Sequence, residues 1–89
     1  MKIKPGYVLR LVAGENIVIP TQEAALNFNG IMTLNETGKF LWEHLQYDTS
    51  IDSLTDEIVI KYQVSEEEAK KDVQEFIDIL KGKNILLDE

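Results

Sequence analysis

The 89 residues are 44% hydrophobic and 28% charged, the mix of a folded domain, and length alone limits the chain to one domain over residues 1–89. There is no cysteine, which excludes disulfides, thiolate zinc sites and cysteine nucleophiles, and a single histidine cannot build a histidine metal site. The net charge of −7 is uneven: residues 1–34 hold three cations against two carboxylates, whereas the remainder sets six lysines against fourteen carboxylates.

A helical half this acidic repels a phosphate backbone, so the charge argues against nucleic acid as a partner. No run of eighteen apolar residues is present, and the opening Met1-Lys2-Ile3-Lys4-Pro5-Gly6 has no apolar signal core. A cytoplasmic protein with no membrane partner is the expectation.

In chain order, Tyr7-Val8-Leu9-Arg10-Leu11-Val12-Ala13 and Asn16-Ile17-Val18-Ile19 are short runs rich in β-branched and aliphatic residues, and Gly14-Glu15 between them predicts a hairpin. Pro20 limits the second strand. Leu26 to Leu34 alternates, with Leu26, Phe28, Met32 and Leu34 on one face and Asn27, Asn29, Ile31 and Thr33 on the other, which predicts a third strand in a meander.

Asn35 is a candidate N-cap, with Glu36 at the positive end of the dipole, for a helix to about Gln46. Ser50 caps a second helix, with Ile51, Leu54, Ile58 and Tyr62 on one stripe, Val59 beside it, and Ile60 opposite. After the turn at Gln63-Val64, Ser65-Glu66-Glu67-Glu68 reads as a capping box, with Val64 placed to staple onto Ala69. The third helix repeats Ala69, Val73, Phe76 and Leu80 on one face, and Gly82 is its stop. Ile85-Leu86-Leu87 is an apolar tail expected to tuck back onto the core. The order βββααα implies an α+β domain, a three-stranded antiparallel sheet followed by three helices.

No catalytic constellation is legible. Asp52-Ser53-Leu54 has the letters of a phosphopantetheine attachment site, but carriers are four-helix proteins, and ordinary first-turn residues behind the Ser50 cap explain the same string. The carboxylates follow helical patterns and match no EF-hand loop, the glycines are isolated, and no cofactor motif is present. His44 lacks a nucleophile partner and Trp42 reads as core. The chain reads as a binding module, not an enzyme.

Leu34-Asn35-Glu36-Thr37-Gly38-Lys39-Phe40-Leu41-Trp42-Glu43-His44-Leu45 resembles the signature of the PqqD-like proteins, named for coenzyme PQQ synthesis protein D. Tyr62-Gln63-Val64-Ser65-Glu66-Glu67-Glu68-Ala69, Asp72-Val73, Phe76-Ile77 and the Ile85-Leu86-Leu87 finish resemble the rest of that family. Gln63 stands where the family commonly has glycine, and the glycine after the first helix is missing near Tyr47-Asp48.

The resemblance implies a winged helix-turn-helix-like recognition element. Such an element binds the leader of a ribosomally synthesised, post-translationally modified peptide (RiPP) and delivers it to a maturation enzyme, often a radical SAM protein. It also implies that the leader adds as a strand to the third strand, with side chains entering a groove beside the third helix. Carried over, the strand residues are Asn27, Phe28, Asn29, Gly30, Ile31, Met32 and Thr33. The helix residues are Val73, Ile77 and Leu80 as a groove wall, with Lys70 and Lys81 at its margin for acidic leader residues. Asn35, Thr37, Gly38 and Trp42 are expected to be structural. A monomer and a homodimer, including a strand-swapped one, both fit. A winged-helix adaptor for another partner is the alternative.

Overall fold

The computed structural model describes residues 1–21 and 32–87. Its elements are β1 (Lys2–Ile3), β2 (Tyr7–Val12), β3 (Glu15–Pro20), β4 (Met32–Leu34), α1 (Glu36–His44), α2 (Ile51–Tyr62), α3 (Glu66–Gly82) and β5 (Leu86–Leu87). The antiparallel sheet β2-β3-β4 followed by α1, α2 and α3 is the α+β, winged-helix order that the sequence implied.

β2 and β3 form a hairpin with Val12 opposite Glu15. The turn residues are Ala13 (φ 51°) and Gly14 (φ 81°), so the turn lies one residue earlier than Gly14-Glu15. Two successive positive φ angles match the twist of the flanking strands. Pro20 closes β3 opposite Tyr7, at a strand end where its missing N–H does least harm.

β4 pairs with β3 through Met32↔Val18, Thr33↔Ile17 and Leu34↔Asn16. Met32 and Leu34 are buried and Thr33 is exposed, the alternation expected at this end of the third run. The part of that run before Met32 lies outside the described residues.

All three caps sit where side-chain chemistry predicted them. Asn35 accepts from Gly38 N–H at 2.7 Å, Ser50 from Ser53 N–H at 3.1 Å, and Ser65 from Glu68 N–H at 3.1 Å. Each satisfies one of the free amides that open a helix. Gln63 ends α2 in the left-handed region (φ 54°, ψ 44°), the conformation for which glycine is favoured. This accounts for the glycine common at that position in the family.

The core gathers Leu41, Trp42 and Leu45 of the α1 region, Leu54 and Ile58 of α2, and Ala69, Val73, Ile77 and Leu80 of α3 around Val18, Met32 and Leu34. Ile60, opposite the α2 stripe, is 73% exposed.

One feature escaped the sequence reading. The apolar tail is a strand, with Leu86 opposite Ile3 and Leu87 opposite Lys2 in a separate two-stranded ribbon. Ile3 N–H donates to Leu45 O at 2.8 Å and Lys4 N–H to Ile85 O at 2.7 Å, while the Met1 ammonium donates to Asp48 Oδ1 at 2.7 Å and Thr49 O at 2.8 Å. The start of the chain is thereby clamped between the α1–α2 connection and β5.

Candidate peptide-binding groove

β4 is an edge. β3 occupies one side, and among the described residues no strand pairs with the other. An unpaired edge offers main-chain donors and acceptors to an extended chain, which is the basis of recognition by strand addition.

Where β4 ends, Asn35 turns the chain into α1 in extended geometry (φ −78°, ψ −178°) and holds the first turn through its bond from Gly38 N–H. Gly38 faces α3: a Cβ at this position would stand in contact with Phe76, 3.4 Å from its Cε1. Beside this contact is a cavity of about 220 Å³. α1 and its cap supply Asn35, Thr37, Gly38 and Leu41; α3 supplies Asp72, Glu75, Phe76 and Ile79. Phe76 is half-buried and Ile79 is 51% exposed, so the α3 side presents apolar surface to solvent. A second depression lies on the other side of Asn35, at the end of the β3–β4 pair, lined by Thr33, Leu34, Asn35 and Glu36 together with Gly14, Glu15 and Asn16. Asn35 is common to both, so the two adjoin where the strand becomes the helix.

The expected site residues divide accordingly. Met32 and Thr33 lie on β4, the first with its side chain in the core and the second exposed in the depression beside Asn35. Asn27, Phe28, Asn29, Gly30 and Ile31 lie outside the described residues. Val73, Ile77 and Leu80 are each 0% exposed, in the centre of the α3 stripe, and offer no surface to a ligand in the free domain. The groove instead lies along the flank of α3 that carries Asp72, Phe76 and Ile79. Lys70 is two residues from Asp72 and Lys81 two from Ile79, which puts each about 160° round the helix from its neighbour. Asp72 and Glu75, not Lys70 or Lys81, therefore line this groove.

Ile79 was the residue to find from sequence: an isoleucine off the main apolar stripe of an otherwise charged helix face. Asn35, Thr37 and Gly38 serve the helix start, as expected, and also line the groove. Trp42 is core, at 3% exposure.

Among the described residues, no other region collects reactive groups. His44 packs edge-on against Phe40 with ring centres 4.5 Å apart, and its Nε2 is 3.9 Å from Glu57 Oε2. Ser53 is a first-turn residue hydrogen-bonded to the Ser50 cap, and the βββααα fold is not that of a four-helix carrier. Among the described residues, no three His, Asp or Glu side chains converge to hold a metal, and no helix is long and apolar enough to cross a membrane.

Two solved structures share this fold. TbiB1 in complex with the TbiA(beta) leader peptide matches with a TM-score of 0.77 at 21% identity, over 100% of this chain and 98% of that one. Lasso peptide synthetase B1 complexed with the leader peptide matches with a TM-score of 0.74 at 15% identity, over 98% and 96% of the two chains. No curated protein matches the chain. The sequence pattern of one family extends over residues 7–86, taking in the β2–β3 hairpin, the edge strand and all three helices, and the chain belongs to that family, coenzyme PQQ synthesis protein D (PqqD).

Proposed function

We propose that this domain binds the leader of a ribosomally synthesised precursor peptide and presents it to a modifying enzyme, carrying out no chemistry itself. PqqD-like proteins are non-catalytic adaptors, and both structures of the same fold hold a leader peptide. The observation that carries the reading is the continuity of β4 with the groove. β4, with one edge open, leads at Asn35 to a cavity whose apolar wall includes half-buried Phe76 and half-exposed Ile79.

In this reading the leader pairs with the outer edge of β4 and of the preceding residues Asn27 to Ile31, and an apolar leader side chain seats against Phe76 and Ile79. Main-chain hydrogen bonds of about 0.5–1.5 kcal/mol each supply sequence-tolerant affinity. The anchor supplies selectivity, since burying an aliphatic side chain contributes about 1.5–3 kcal/mol. The enzyme that receives the peptide would be a RiPP maturase such as a radical SAM protein, with this domain as a monomer or a homodimer.

The test is an NMR titration with the leader segment of a short precursor encoded beside this protein. Saturable binding, with shifts concentrated at residues 27–35 and at Asp72, Phe76 and Ile79, is the expected outcome. If a folded sample binds no such leader, the domain is a winged-helix adaptor for another class of partner.

A further inference from the structure

The groove and the depression that adjoins it are acidic along their whole described length. Asp72 and Glu75, both exposed, line the first; Glu15 and Glu36, also exposed, line the second. No lysine or arginine of the described residues lines either one, and residues 22–31 contain none. Of the lysines on and just after α3, Lys70 and Lys81 stand on the far side of the helix from Asp72 and Ile79, and Lys71 and Lys83, one turn from Glu75 and Ile79, border the groove without lining it.

We propose that the peptide this domain accepts is cationic: an apolar anchor side chain for Phe76 and Ile79, flanked by lysine or arginine residues that lie against Asp72 and Glu75. The inference rests on the leader-binding reading above and adds to it the charge of the ligand. An acidic peptide in the groove meets like charge at Asp72 and Glu75. A basic one finds opposite charge wherever its side chains alternate towards the groove. Each exposed pair changes affinity by only about two- to five-fold. Charge therefore acts chiefly by rejecting the wrong peptides, while the apolar anchor holds the right one. Because the carboxylates are solvated, the preference weakens as salt shortens the screening length from about 10 Å at 0.1 M to about 3 Å at 1 M.

The experiment is to pan a random 16-residue display library against the purified protein and against its Asp72→Asn/Glu75→Gln double variant, both substitutions falling at exposed positions. The expected result is that the wild-type protein enriches peptides with lysine or arginine within two or three residues of a Leu, Ile or Phe, and the variant keeps the apolar anchor and loses the charge bias. A peptide selected on the wild type should bind the double variant about four- to twenty-five-fold more weakly in 0.1 M salt, with the gap narrowing at 1 M. Enrichment of apolar anchors with no charge bias, or with acidic flanks, would overturn the charge assignment and leave leader binding intact. No enrichment of any peptide by folded protein would overturn both. A dimer in sedimentation equilibrium that Ile79→Glu dissociates would give the groove to a second copy of the chain and likewise overturn the proposal.

Discussion

Gly38 and Phe76 meet where the groove closes. A Cβ at Gly38 would lie 3.2 Å from Asn35 Oδ1, tighter than an ordinary contact, and 3.4 Å from Cε1 of the Phe76 ring and from Leu34 Cβ, so strand end, cap and third helix meet at one point with no room for a branched side chain. Gly38→Val forces these three neighbours apart. The expected loss of stability is about 1–3 kcal/mol, the usual cost of overpacking, read from urea unfolding, and leader affinity should fall with it because Phe76 is displaced.

Two isoleucines two residues apart separate folding from binding. Ile77 is fully buried, and Ile77→Glu places a carboxylate in the core, so the variant should be unfolded by circular dichroism. Ile79 is half-exposed on the groove wall, and Ile79→Glu should keep the wild-type spectrum while weakening leader binding at least about ten-fold in calorimetry. A folded Ile79→Glu variant that bound leader normally would remove this wall from the site.

Gln63 holds a left-handed backbone, which costs a residue with a Cβ about 1 kcal/mol relative to glycine. Gln63→Gly should raise the midpoint of denaturation by that amount, and Gln63→Val, β-branched and intolerant of positive φ, should lower it. Leader affinity should stay unchanged in both, since Gln63 lies outside the groove lining.

Asp48 carries a pH-dependent contact. The hydrogen bond from the Met1 ammonium, then its charge, holds the carboxyl below its ordinary value of 3.8. A depressed carboxyl stabilises the fold above its unfolded pKa and loses that contribution as pH falls through the folded value, so the clamp on β1 should loosen only below about pH 3.8. The amide shift of Ile3 should report this as an acid transition that Asp48→Asn abolishes.

The legible parts of this fold are those decided within a few residues. Asn35, Ser50 and Ser65 were placed correctly because a cap needs only its own side chain and the amide three residues on. The β2–β3 turn was placed one residue late because Ala13, with φ 51°, takes a conformation its side chain does not advertise. The pairing of Lys2 with Leu87 could not be read, since strands of two residues carry no periodicity and this one joins opposite ends of the sequence. For α3 the wheel located the apolar stripe but not the flank left uncovered. That depends on where α1 arrives, which Gly38 decides.

The β1–β5 ribbon has a consequence for how the domain can be used. Polypeptide entering at Lys2 and leaving at Leu87 passes through one point, as adjacent strands about 5 Å apart. A unit built this way is a plug-in: it can be spliced into a surface loop of a larger enzyme, or hung from either end of one, without stretching its own fold. In the proposed role, delivery of a bound peptide to a catalytic centre would then depend on tether length, set by the host.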